Sequence, residues 1–128
     1  MRPGIRWQDA QPFPFRHPGI DPVTPIGDNS DLPFTIRQTT AFERWFRDLR
    51  DARARAAVAR RITRLRLGNF GDAKSLGKGL LELRIDTGPG YRVYLAMRAK
   101  HVVVLLAGGD KGSQTRDIER AHKLAREL

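Results

Sequence analysis

Residues 71–111 read GDAKSLGKGLLELRIDTGPGYRVYLAMRAKHVVVLLAGGDK. Two segments within them alternate strictly. Leu81, Leu83 and Ile85 point one way and Glu82, Arg84 and Asp86 the other. After Thr87-Gly88-Pro89-Gly90, Tyr91, Val93, Leu95 and Met97 share one face, with Arg92, Tyr94 and Arg98 on the other. Successive side chains of a strand project to opposite faces, so this is the pattern of two half-buried strands joined by a turn. Paired as a hairpin, they place Arg84 and Arg92 on one polar face. A sheet that gives its open face to arginines and a tyrosine suggests a surface for phosphate.

Outward from the hairpin, Val102 to Ala107 is an unbroken apolar run, the mark of a strand covered on both faces. It ends in Gly108-Gly109-Asp110-Lys111. Ser113 is placed to cap a last helix with Ile118, Ala121, Ala125 and Leu128 on one side. Upstream, Phe34 to Gln38 alternates like a short strand. Thr40 and Glu43 fit a capping box, and Phe42, Trp45, Phe46 and Leu49 follow at helical spacing. A break near Asp51 leads to a second helix with Ala54, Val58, Ile62 and Leu65 as its buried stripe, closed by Gly68-Asn69. Asn69 to Gly79 reads as a loop. The expected order is β-α-α-β-β-β-α, an α+β domain over residues 34–128. It has a mostly antiparallel sheet, two N-terminal helices packed on it and a C-terminal helix. Residues 1–33 hold seven of the eight prolines and read as a flexible extension.

The 128 residues carry a formal charge of +10, with 24 basic and 14 acidic side chains. Residues 1–33 are nearly neutral, so the excess lies in the domain, nine arginines of it between Thr40 and Leu67. Such a surface attracts polyanions. The absence of cysteine excludes disulfide and thiolate chemistry. No apolar run reaches the ~18 residues of a membrane span, and a cytoplasmic location follows as the default. A P-loop is excluded, because five residues separate Gly71 from Gly77 and Lys78 is followed by Gly79 rather than a hydroxyl residue. His17, His101 and His122 lack metal-ligand spacing, and no metal or other cofactor is expected. Asp72, Glu82, Asp86 and Asp110 could gather a divalent ion, although carboxylates beside a hairpin are more often surface residues.

Gly68-Asn69-Phe70-Gly71-Asp72-Ala73-Lys74, Glu82-Leu83-Arg84-Ile85, Gly88-Pro89-Gly90-Tyr91-Arg92-Val93-Tyr94, Gly108-Gly109-Asp110-Lys111 and Asp117-Ile118 occur in this order. Together they resemble the addiction-module killer proteins, a HigB-like branch of the RelE/ParE toxin superfamily. The resemblance covers residues 34–128. It implies a RelE-like fold, a HigA-like helix-turn-helix antitoxin as partner, and metal-independent cleavage of mRNA on the ribosome. In that reaction the ribose 2′-OH attacks the adjacent phosphate. Arg92 falls on the RelE-type arginine, Lys111 near the basic residue after the following strand, and Arg84 on the preceding strand. These three are the candidate catalytic residues. Lys74, Lys78, Tyr94 and Arg98 are candidate RNA contacts. The lysine pair and the near-C-terminal tyrosine of RelE have no match here, since Leu80, Glu82 and Asp117 stand in those regions. The general acid and base are therefore unassigned. The same resemblance admits a non-catalytic ParE-like toxin that inhibits a protein target such as DNA gyrase. Arg84 and Arg92 also have a purely structural alternative, pairing with Glu82, Asp86 or Asp110.

Overall fold

The computed structural model describes residues 33–128; the proline-rich segment before them, read above as an extension, lies outside the described residues. Strand β1 (Thr35–Gln38) is followed by helices α1 (Thr40–Asp48) and α2 (Ala52–Arg66). Strands β2 (Ala73–Gly77), β3 (Leu80–Ile85), β4 (Tyr91–Met97) and β5 (Val102–Asp110) come next. A 3-10 turn (Lys111–Ser113) then leads into helix α3 (Gln114–Arg126). The sheet order is β1-β5-β4-β3-β2, with β1 parallel to β5 and the other neighbours antiparallel. This is the expected α+β architecture, consistent with a RelE-like fold.

The sheet has one strand more than the sequence suggested. Ala73–Gly77, read as part of a loop, pairs with β3 as an edge strand. Its five residues include Gly77 and two exposed polar side chains, Lys74 and Ser75, so no apolar alternation announces it. An edge strand needs only one ladder, and here the β3 backbone supplies it.

Helices α1 and α2 seal one face. Phe42, Ala57, Val58, Ile62 and Leu65 pack on Ile36, Leu83, Ile85, Val93, Leu95, Val103 and Leu105. The expected stripe of α2 is buried as read, with Ala57 added. Asp51 caps α2, its side chain accepting from the Arg53 amide at 2.9 Å. The cap of α1 is one residue earlier than the sequence indicated. Thr39 has extended backbone, and its Oγ1 accepts from the Phe42 amide at 3.0 Å. The same hydroxyl donates to the Leu106 carbonyl at 2.7 Å, tying the helix start to β5. That second bond is what selects Thr39 over Thr40.

Helix α3 covers the opposite face. Ile118, Ala121, Leu124 and Ala125 pack on Leu80, Tyr94, Ala96, Val104, Leu106 and Ala107. A bulge in β5 shifts the register between Tyr94 and Leu95, and Leu106 and Ala107 both turn toward α3. The bulge also rephases the end of β5, so that Gly108 meets Trp45 of α1 on one face and Gly109 meets Asp117 of α3 on the other. Ser113 precedes α3 but makes no side-chain cap bond to it. Its hydroxyl instead donates to the Asp117 carboxylate.

Candidate functional site: a cationic cleft at the hairpin end of the sheet

The hairpin puts Arg84 and Arg92 on one face, as expected, and its register sets them directly opposite each other and Glu82 opposite Tyr94. All four side chains lie on the α3 side. Because α3 begins only at Gln114, it covers Tyr94 and Glu82 but leaves the Arg84–Arg92 end open. There Asp72, Arg84, Asp86, Gly90, Arg92 and Lys111 line a cleft of about 260 Å³. The turn supports it. The Gly90 amide donates to the Thr87 carbonyl at 3.1 Å, and Gly90 has a φ of 84°. A Cβ at Gly90 would stand 3.6 Å from Arg92 Nη1 and 3.8 Å from Lys111 Cβ, so this residue sits between the two cations.

Two arginines facing each other across a ladder repel, and a like-charge pair of this kind is destabilising. Glu82 offsets that repulsion. It is 1 % exposed and lies beneath both guanidinium groups. Its Oε2 is 3.8 Å from Arg92 Nε and its Oε1 is 4.0 Å from Arg84 Nε. The carboxylate is satisfied by Tyr94 Oη at 3.1 Å and Gln114 Nε2 at 2.8 Å, both donating to Oε2. Burial, and then the Glu82 carboxylate, push the Tyr94 hydroxyl above its ordinary pKa, which keeps it a protonated donor. The Arg84 side chain is 42 % exposed and the Arg92 side chain 12 %. Their Nε atoms are buried with no hydrogen-bond partner.

The loop that brings Asp72 to the cleft is held by Arg61 of α2. Its guanidinium donates to the carbonyls of Arg84, Phe70 (2.9 Å) and Asp72 (3.1 Å). Burial lowers the Arg61 pKa from its ordinary value, with nearby Asp72 acting in the opposite sense. Arg61 is thus a structural cation rather than part of the free basic surface of the helices, and Arg55, which donates to the Leu49 carbonyl, is another.

Of the seven residues singled out in the sequence, the cleft gathers Arg84, Arg92 and Lys111. Lys74 stands on β2 opposite Glu82, beside the cleft but outside its lining. Tyr94 is fully buried, so as it stands in the fold it offers no ring face for stacking a base. Lys78 and Arg98 lie at the other end of the sheet, where the Met97 amide donates to the Gly79 carbonyl at 3.0 Å. At about 3.3 Å per residue, the six positions from Arg92 to Arg98 span roughly 20 Å. Gln114 and the burial of Glu82 were missed. Alternation carried part of the signal, since it already sets Glu82 and Tyr94 on the arginine face. Among the described residues, no three of His, Asp and Glu are grouped as metal ligands, and no helix is long and apolar enough to cross a membrane.

Residues 44–127 match the family model described as phage derived protein Gp49-like (DUF891). The chain belongs to the Gp49-like family. A protein of Haemophilus influenzae described as uncharacterized is 50 % identical to the Gp49-like chain over 97 residues, covering 76 % of the chain and 98 % of that relative. No solved structure matches the chain. The Gp49-like family is associated with the toxins of toxin–antitoxin modules, which implies an antitoxin as partner.

Proposed function

We propose that this Gp49-like chain is the toxin of such a module and acts as a metal-independent, ribosome-dependent mRNA endoribonuclease. The observation that supports the reading best is the cross-strand pair Arg84–Arg92 opening, with Lys111, into one cleft. The fold accepts the repulsion of that pair and buries a carboxylate to offset it, although an apolar pair would serve stability better. A phosphodiester is the anion that matches this arrangement of guanidinium forks.

In the proposed reaction the 2′-oxygen forms a bond to phosphorus as the P–O5′ bond breaks. The products are a 2′,3′-cyclic phosphate and a 5′-hydroxyl. Arg84 and Arg92 hold the non-bridging oxygens, whose charge grows in the pentacovalent transition state. Of the six lining residues, Asp72 and Asp86 are able to accept the 2′-hydroxyl proton, and Lys111 is able to give one to O5′. The partner in the cell is a HigA-like helix-turn-helix antitoxin that covers the basic face.

Induced expression of wild type and Arg92→Ala, followed by primer extension on cellular mRNA, tests the reading. Wild type is expected to arrest translation and cut within codons, with cleavage insensitive to chelators. The substitution should lower cleavage about 10²-fold, corresponding to roughly 2–4 kcal/mol of lost transition-state stabilisation. Equal activity of the two proteins would remove the assigned site. A DNA-damage response without mRNA cuts would replace this reading with that of a ParE-like inhibitor of DNA gyrase.

A further inference from the structure

Glu82 has no place in the reaction as written, yet it is the most thoroughly buried acid among the described residues. Its hydrogen bonds come from the sheet (Tyr94) and from the first residue of α3 (Gln114), so two layers of the fold fix it from behind. Its charge faces forward, toward Arg84 and Arg92. Both Nε atoms stand at ion-pair range, 4.0 and 3.8 Å, and beyond hydrogen-bond range. A carboxylate at this distance attracts the two forks without occupying their N–H groups. Asp72, 3.9 Å from Arg84 Nε, is 64 % exposed, so solvent screens its charge and it fixes nothing comparable.

We infer that Glu82 is a positioning residue, a buried counter-charge that holds the Arg84 and Arg92 guanidinium groups open toward a phosphodiester while leaving their terminal N–H donors free for it. The inference rests on the cleft being a phosphate site. It adds that the site's geometry is set from beneath, by a group that never touches the substrate. Without the charge, the two arginines repel each other and swing apart into solvent. The cleft would then gain net positive charge while losing its shape. Glu82→Gln should therefore separate binding from rate: affinity for RNA holds or rises, and cleavage falls. A merely structural glutamate would instead lower stability, affinity and rate together.

The decisive measurement is the arginine Nε–Hε correlation spectrum of the full chain, with Arg84→Lys and Arg92→Lys identifying the two signals. In wild type both are expected to be dispersed and slow to exchange. In Glu82→Gln both should collapse to the position of solvent-exposed arginines while the backbone amide spectrum stays native. Unchanged signals in a folded Glu82→Gln protein overturn the inference. Should that variant not fold, Tyr94→Phe keeps the charge and removes one bond to Oε2. It should move the Arg92 signal more than that of Arg84, and no movement overturns the inference as well. On ribosomes programmed with mRNA, Glu82→Gln should cut at least ~10-fold more slowly. Its affinity for an oligoribonucleotide with 2′-deoxy substitutions should be no weaker than that of wild type, and weaker affinity with an equal loss of rate counts against positioning. If wild type cuts nothing, the nuclease reading fails, and the spectrum still decides the part played by Glu82.

Discussion

Gly108 and Gly109 are adjacent in β5, yet they look into different chemistries. A Cβ on Gly108 would stand 2.2 Å from Trp45 Cε3, inside an aromatic cluster of Trp45, Phe42 and Tyr91. A Cβ on Gly109 would stand 1.8 Å from Asp117 Oδ2, among the hydroxyl and carboxylate groups of Ser113, Asp117 and Asp110. The first face of the sheet is sealed by large apolar side chains on two helices. The second is apolar only in its middle. Toward the hairpin turn it becomes a hydrogen-bonded layer under a cleft. One side of the same strand holds the domain together, and the other underlies the cleft lined by Arg84, Arg92 and Lys111. The contrast also explains why neither glycine tolerates a side chain: close approach of a helix is required on both faces.

Substituting each glycine in turn pulls the two roles apart, and this comparison carries the largest expected effect. Gly108→Ala drives a methyl group into a ring clamped by neighbours, so α1 must shift. A loss of about 3 kcal/mol is expected, at the upper end of the usual overpacking cost. Gly109→Ala meets the end of an aspartate, which can rotate at a smaller cost, about 1–2 kcal/mol. Rotation breaks the Ser113–Asp117 bond and disturbs the turn that carries Lys111. Denaturant unfolding should therefore rank Gly108→Ala as the more damaging. Cleavage by the protein that remains folded should rank Gly109→Ala as the more damaging. The same order in both measurements would erase the proposed division of labour.

Legibility in the sequence followed the same division. The sealed face could be read directly. Phe42, Val58, Ile62, Leu65, Leu83, Val93 and Leu105 recur at helical or strand spacing, and all are buried together. Apolar burial is additive and local in pattern, so periodicity reveals it. The polar layer was read only in part. Arg84 and Arg92 share a face because a hairpin register admits few alternatives. The burial of Glu82 depends on where α3 starts and on Gln114, thirty-two residues away, and no local pattern encodes that. Tyr94 was misplaced for the same reason: alternation assigned it correctly to the arginine face, but not to the part of that face under α3. β2 escaped notice because an edge strand of exposed polar residues and glycine has no apolar period to show.

Thr39 gives a smaller test on the sealed face. It is 2 % exposed and bonds both to the start of α1 and to β5. Thr39→Ala removes the hydroxyl that caps α1 and ties it to β5, so a loss of about 1–2 kcal/mol is expected in denaturant unfolding. Thr40→Ala, at the exposed position the sequence favoured, should stay within about 0.5 kcal/mol of wild type. Equal losses would mean that the cap is shared between the two threonines.

The smallest effect belongs at the end of the sheet away from the cleft. Lys78 has a φ of 52°, between Gly77 at 89° and Gly79 at 78°. A left-handed lysine costs roughly 1–2 kcal/mol relative to glycine in the folded state. Glycine in its place would regain that, less the roughly 0.4–1 kcal/mol by which its freer unfolded chain opposes folding. Lys78→Gly should therefore stabilise the domain by a few tenths of a kcal/mol to about 1 kcal/mol, read as a higher denaturant midpoint at constant slope. A destabilised variant would show that the lysine side chain, and not the backbone alone, has a stake in this turn. The far end would then have to be counted, with the cleft, among the places where the fold gives up stability to present a cation.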